Sequence, residues 1–224
     1  MSSARDFPSK QLPIEGMADL TSSAYVGSVF DLTEEKVEQL KRVKPKLLGI
    51  RCRRTECGQG LHCFDAVKPR PKFERGKCQE CGVDLVKWHE VWLRDTRDVD
   101  KKFAFFEREW IRHFFFHVPT TPRIRKYAHK HGLEGLGRIL QDQLRNKKML
   151  NYIPALDSTQ TKMLDGTIVH WARHAVGCCC RRCMTYWHNV PFDHELTDED
   201  IDYFKELVVK FISKRIPDLG TGPS

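Results

Sequence analysis

The residues best equipped for chemistry in this 224-residue chain are its nine cysteines, which fall mainly into two groups. The first group is Cys52, Cys57, Cys78 and Cys81, spaced C-x4-C and then, some twenty residues on, C-x2-C-G. Zinc takes four soft donors in a tetrahedron, and two tight turns that each present a pair of thiolates can supply them. Gly58 and Gly82 follow the second cysteine of each pair, where a knuckle turn favours a residue that tolerates positive φ. The x4 spacing is looser than the ideal x2, and His62 and Cys63 stand close by as substitute donors. A closed structural zinc site is expected here, with unliganded structural cysteines as the alternative.

The second group lies in HAVGCCCRRCMTYWH, where Cys178, Cys179, Cys180 and Cys183 are flanked by His174 and His188. If the segment is helical, Cys179 and Cys183 lie one turn apart, approached by His174 and Cys178 from the preceding turn. Alternatively, Cys180 and Cys183 form a C-x2-C knuckle that His174 and His188 complete. Either arrangement suits zinc. The expected ligands are therefore drawn from His174, Cys179, Cys180, Cys183 and His188, giving two zinc sites in all. An iron–sulfur cluster is the lesser alternative, because it draws on four thiolates that would be crowded here. A dithiol redox role for Cys179, Cys180 and Cys183 is another reading of the same residues.

A third constellation sits in EREWIRHFFFH, where Glu109, His113 and His117 recur every four residues and would share a helical face. With Asp95, Asp98 or Asp100 they could build a metal-dependent hydrolytic site. The favoured reading is plainer: an amphipathic helix that buries its aromatic side and leaves its histidines in polar surroundings. The chain contains no Gly-rich phosphate loop, no G-x-S-x-G and no H-E-x-x-H.

Several elements must position these groups. Residues 1–28 lack apolar periodicity and read as an arm. Thr33–Lys44 reads as a short helix capped by Thr33, with Val37, Leu40 and Val43 on one face, and Pro45 ends it. Between Leu47 and Leu93 the cysteines, glycines and basic turn KPRPKFERGK separate short segments, of which VDLVKWHEVWL is the best strand candidate. Val99–Val118 reads as one aromatic-rich helix, followed by helices at Arg123–His131 and Leu133–Lys147 separated by Gly132. Thr197 caps a final amphipathic helix lined by Ile201, Phe204, Leu207, Val208, Phe211 and Ile212.

The formal net charge of +8 is concentrated. Between Lys41 and Glu80 there are twelve Lys or Arg and four acids, so the rest of the chain sums to zero. Such a basic segment favours a polyanion, and Arg51, Arg53, Arg54, Lys68, Arg70, Lys72, Arg75 and Lys77 are the residues expected to meet phosphates. No run approaches the roughly 18 apolar residues of a membrane-spanning helix, and MSSARDFPSKQLPIEG lacks a secretory pattern. A cytoplasmic, reducing location is therefore expected, where cysteines more often bind metals than pair as disulfides.

The second group also carries a resemblance. The chain resembles a bacterial family of unknown function whose C-terminal half reads H-A-x3-C-C-x2-C-x3-W-H, then Pro, then Leu-Thr opening a last amphipathic helix. Its counterparts here are His174, Ala175, Cys179, Cys180, Cys183, Trp187 and His188, then Pro191, Leu196 and Thr197, within residues 130–215. Cys178 falls in the variable x3 stretch and is less suited to be a ligand. The resemblance implies a small, mostly helical domain without an established activity, to which the first cysteine group is an added module.

The expected architecture is α+β: an arm and short helix at 1–46, a zinc-ribbon-like β module at 47–98, and a helical domain with the Cys/His cluster at 99–224. The leading function is non-enzymatic, a zinc-stabilised module that binds nucleic acid or a nucleic-acid-associated protein complex. A metal-dependent hydrolase or nuclease using His113 and His117, or an open site at His174 and His188, is the second reading, and thiol redox chemistry the third.

Overall fold

The computed structural model describes residues 32–40, 50, 52–64, 76–146, 164–192 and 194–220. The expected arm and most of the basic turn lie outside them. The described helices are α1 (Glu34–Leu40), α2 (Trp88–Trp92), α3 (Val99–Phe106), α4 (Trp110–His117), α5 (Pro122–Arg145), α6 (Ile168–Ala175), α7 (Arg181–His188) and α8 (Asp198–Arg215). Among the described residues a 3-10 turn, Cys57–Gln59, precedes α2.

Local chemistry sets the helix ends. Thr33 Oγ1 accepts from the Lys36 N–H at 3.2 Å, and α1 buries Val37 and Leu40. At α8, Thr197 Oγ1 accepts from the Asp200 N–H, and the Asp200 carboxylate accepts from the Thr197 N–H, both at 3.1 Å. The expected apolar stripe of α8 is buried, each large side chain contributing about 1.5–3 kcal/mol. α8 packs on α5 and α6, α5 also meets α6, and α4 covers another side of α6. Helix α6 is thus the centre of the bundle, with Arg173 and His174 buried alongside its apolar residues. Gly132 divides α5 as expected, with φ 62°, a value that residues with a Cβ adopt at a cost.

Two sequence expectations change. The stretch Val99–Val118 is two helices, because residues 107–109 leave the helical path. Here the His62 N–H donates to the Arg108 carbonyl at 2.8 Å, and the Trp110 N–H donates to the His62 carbonyl at 3.0 Å. A backbone from the cysteine-rich segment is inserted where one helix would have run on. The second change concerns the β module. Among the described residues β structure amounts to two isolated bridges, Glu56 with Leu61 and His62 with Glu109, so a zinc-ribbon sheet is not shown. The best strand candidate instead ends in helix α2. Trp88 and Trp92, four residues apart, pack as one helical face against α7: the Trp88 and Trp187 rings stand 5.1 Å apart, and the Trp92 indole donates to the Tyr186 carbonyl at 3.3 Å. Without a partner strand, helical spacing serves those two rings better than alternation.

At the helix break, the carboxylate of Glu109 is buried. It receives the Trp187 indole N–H at 3.0 Å, the Phe64 N–H at 3.3 Å and the Tyr186 hydroxyl, and it lies 3.1 Å from the buried Arg112 guanidinium. Replacing Glu109 with Ala leaves these donors and the Arg112 charge buried without their acceptor. The expected loss of stability is about 3–5 kcal/mol, read as a lowered urea midpoint. A loss under about 1 kcal/mol would show that this pair does not anchor the fold.

Candidate metal centres

The first centre is assembled from two turns. After the Cys57–Gln59 turn, Gly60 adopts φ 74° and its N–H donates to the Cys57 carbonyl, which folds Glu56 back against Leu61 and brings up His62. The glycine that supplies positive φ here is Gly60; Gly58, the expected one, does not have it. The second turn, Cys78–Cys81, closes with the Gly82 N–H on the Cys78 carbonyl at 2.9 Å, and Gly82 has the expected positive φ, 75°. The donor atoms of Cys57, His62, Cys78 and Cys81 all lie within 4.8 Å of one another. Cys57 Sγ and Cys78 Sγ are 3.8 Å apart, and Cys81 Sγ is 3.4 Å from His62 Nδ1. Tetrahedral zinc with its usual bond lengths has edges of about 3.8 Å between sulfurs and about 3.5 Å between sulfur and nitrogen, so the set fits one such ion.

Electrostatics agrees with that fit. Burial pushes the Cys78 thiol up, but the backbone N–H groups of Cys81, Cys63 and Glu80 outweigh it and hold the thiol below its usual value. The turn is therefore built to receive a thiolate. Cys57 is pushed up to about 12 by burial and by its hydrogen bonds with Cys81 and Cys78. Cys52, expected in this centre, is not placed in it. Cys63 is buried, with its thiol donating to the Cys52 carbonyl at 3.6 Å.

The second centre lies where α6 turns into α7. Its core is Cys179, Cys180 and Cys183, with all three sulfurs within 4.8 Å. That is the separation of donors on a single ion, and it is closer than an iron–sulfur cluster needs, where thiolates attach to different irons. Hydrogen bonds from Cys180 and Cys183 hold the Cys179 thiol well below its usual value, helped by Arg112 and Arg173. Arg112 Nη1 stands 4.0 Å from Cys179 Sγ, and Arg173 donates to the carbonyls of Cys178 at 3.4 Å and Cys179 at 3.0 Å. The buried cations thus face the sulfur cluster. Cys52 lies outside the 4.8 Å set and is half-buried, yet desolvation raises its pKa well above the usual value, and the nearby Cys179 and Cys183 raise it further.

The two histidines expected to complete this centre behave differently. His174 stacks on Phe115 at 5.0 Å, and its Nδ1 is buried with no hydrogen-bond partner among the described residues. His188 is not brought to the sulfurs: its Nδ1 pairs with the Tyr203 hydroxyl at 3.0 Å and its Nε2 with the Val176 carbonyl at 2.8 Å. Cys178 is buried and pushed up to about 12 by burial, in keeping with a core residue.

A third group is less sulfurous and more open. The donor atoms of Glu107, His113 and His117 lie within 4.8 Å of one another. The expected carboxylate, Glu109, is instead the buried partner of Arg112, because the helix break turns it inward. Nothing in the sequence marks that break, so Glu107 was missed. His62 was visible only as a substitute donor.

Of the basic residues expected to meet phosphates, Arg51, Lys68, Arg70, Lys72 and Arg75 lie outside the described residues. Arg53, Arg54 and Lys77 are half-buried, and Arg54 is turned inward, bonded to Glu56 at 2.7 Å and seated 4.4 Å over the Trp110 ring. The described residues therefore give no support to a nucleic-acid face. No described helix is long and apolar enough to cross a membrane.

Residues 100–213 match the model of a family described as a domain of unknown function (DUF4186). The match begins thirty residues before the stretch expected from the cysteine signature. It takes in Cys179, Cys180 and Cys183 as well as Glu107, His113 and His117, and leaves Cys52, Cys57, His62, Cys78 and Cys81 outside. No solved structure matches the chain. From the geometry, His188→Gln should leave metal content unchanged and lower stability by about 1–3 kcal/mol through its lost buried hydrogen bonds. Elemental analysis beside urea unfolding tests this, and a missing metal equivalent would return His188 to the second centre.

Proposed function

The chain belongs to the DUF4186 family, and we propose that it is a zinc protein whose two thiolate-rich centres tie its cysteine-rich segment to its helical domain. The observation that carries this reading is the gathering of Cys57, His62, Cys78 and Cys81 at tetrahedral spacing from two separate turns. Bound there, zinc supplies a cross-link between the two turns. The protein's own groups do the rest. The N–H groups around Cys78 favour its thiolate, and the His62 backbone, bonded on both sides to the α3–α4 break, fixes where its ring stands.

For the second centre we assign Cys179, Cys180 and Cys183 as three donors and Cys52 as the fourth. Four thiolates around a dication carry a net charge of −2, and burying that charge requires nearby cations. Arg112 and Arg173 are placed to meet it. His174, with its buried Nδ1, is the other candidate for the fourth position. In this assignment Cys52 and Cys57, five residues apart in sequence, serve different centres.

A dithiol redox role for Cys179, Cys180 and Cys183 is the second reading, favoured by the low-lying Cys179 thiol beside Arg112. Elemental analysis of protein purified without added metal separates the two. Two zinc ions per chain are expected, falling to one in Cys57→Ser and in Cys183→Ser. Cys52→Ser combined with Cys183→Ser should lose no more zinc than Cys183→Ser alone, whereas Cys52→Ser combined with Cys57→Ser should lose both ions. A single zinc in the unaltered chain, with Cys179 alkylated readily in the native state, would favour the redox reading. Additive zinc loss for Cys52→Ser with Cys183→Ser, but not with Cys57→Ser, would place Cys52 in the first centre.

A further inference from the structure

We propose that Glu107, His113 and His117 form a third metal site, open to solvent, that takes a divalent transition-metal ion and leaves coordination positions for water. The site depends on the helix break. Helix α4 puts His113 and His117 one turn apart on the same face, and their ring centroids are 4.2 Å apart. Glu107, the first residue beyond α3, is held by its N–H on the Phe103 carbonyl at 2.9 Å. That places its carboxylate 2.8 Å from His117 Nε2. Had α3 run on unbroken into α4, Glu107 and His117 would be ten residues apart on a straight helix, about 15 Å along its axis.

A histidine–carboxylate ion pair accounts for Glu107 and His117 alone, and at this exposure such a pair contributes little to stability. It leaves the third member unexplained. On α4 the His113 N–H is held on the Glu109 carbonyl at 2.9 Å, and its ring stands against that of His117. The break thus brings the Glu107 carboxylate to a pair of imidazoles that α4 already holds together.

The donor set also differs in kind from the thiolate centres. Two imidazoles and a carboxylate suit zinc, iron, cobalt, nickel or manganese without sulfur, and three protein ligands are the pattern of sites that keep a position for water. Glu107 and His117 retain 33% and 34% of their side-chain exposure, so solvent can reach that position, whereas Cys180 and Cys183 are buried. Water held on such an ion is a nucleophile near neutral pH, so a metal here would give the helical domain hydrolytic capacity that the thiolate centres lack.

The test uses the full-length protein carrying two zinc ions per chain, titrated with cobalt(II) and followed by visible absorption and calorimetry. One additional cobalt per chain is expected, with weak d–d bands and no thiolate-to-cobalt charge transfer. His113→Gln, His117→Gln and Glu107→Gln should each weaken its binding by at least about tenfold while zinc content and helical circular dichroism stay unchanged. Where a histidine variant disturbs folding, Glu107→Gln, at a half-exposed position, carries the comparison. The proposal is overturned if no further equivalent binds, if the bound cobalt shows thiolate charge transfer, or if Glu107→Gln binds it as the parent does. Loss of the two-zinc stoichiometry with this third equivalent intact would sink the thiolate reading alone, and the converse would sink only this one.

Discussion

The buried pair of Glu109 and Arg112 is the contact on which the rest of the structure turns. Two charges withdrawn from water are costly unless every remaining donor and acceptor is met, and here the partners come from all sides. Glu109 takes hydrogen bonds from Phe64 in the cysteine-rich segment and from Tyr186 and Trp187 on α7. Arg112 reaches the His174 carbonyl on α6 and lies beside the Cys179 sulfur. The pair therefore joins the segment before α2, the central helix and the cysteine cluster at 179–183 in one polar network. It can form because α3 and α4 are separated: in one continuous helix the 107–109 backbone would bond within the helix and leave His62 no edge to pair with.

That break has consequences on both of its faces. Inward, it seats Glu109 under the aromatic cluster of Phe64, Trp88, Phe106 and Trp187, whose rings meet edge to face or tilted. Outward, it swings Glu107 beside His117. The same three residues thus build a closed ionic anchor on one side and a half-open nitrogen–oxygen cluster on the other. The anchor also bears on charge balance around sulfur. Three sulfurs crowd in a buried turn, and Arg112 and Arg173 are the cations that help hold the Cys179 thiol well below its usual value.

The two thiolate centres, in the proposed arrangement, work as cross-links of unlike reach. The first closes a short circuit between the Cys57–His62 hairpin and the Cys78–Cys81 turn. The second, with Cys52 as a donor, would join residue 52 to residues 179–183 and so span most of the chain. Cross-links that close long loops remove more freedom from the unfolded state than those that close short ones. The segment between Cys52 and Cys57 would then be strung between two ions, and loss of either should loosen it.

Much of this was legible in the sequence where the deciding physics is local. Thr33 and Thr197 cap helices because a hydroxyl next to unpaired N–H groups needs no distant partner. The stripe of α8 and the split at Gly132 follow from periodicity and from the freedom of glycine, and the crowding of Cys179, Cys180 and Cys183 announces a sulfur centre by spacing alone. Tertiary structure decided what depended on contacts between distant segments. His62 rather than Cys52 joins Cys57, Cys78 and Cys81, because the hairpin that delivers His62 is pinned to the α3–α4 break. Glu107 rather than Glu109 meets the histidines for the same reason. The strand pattern at 83–93 ends in a helix because α7, not another strand, lies against it. The sequence by itself determined which residues could bind metal and where helices could start; only packing across the chain decided which of them share a centre, since that depends on the backbone hydrogen bonds that His62 makes with Arg108 and Trp110, far along the chain.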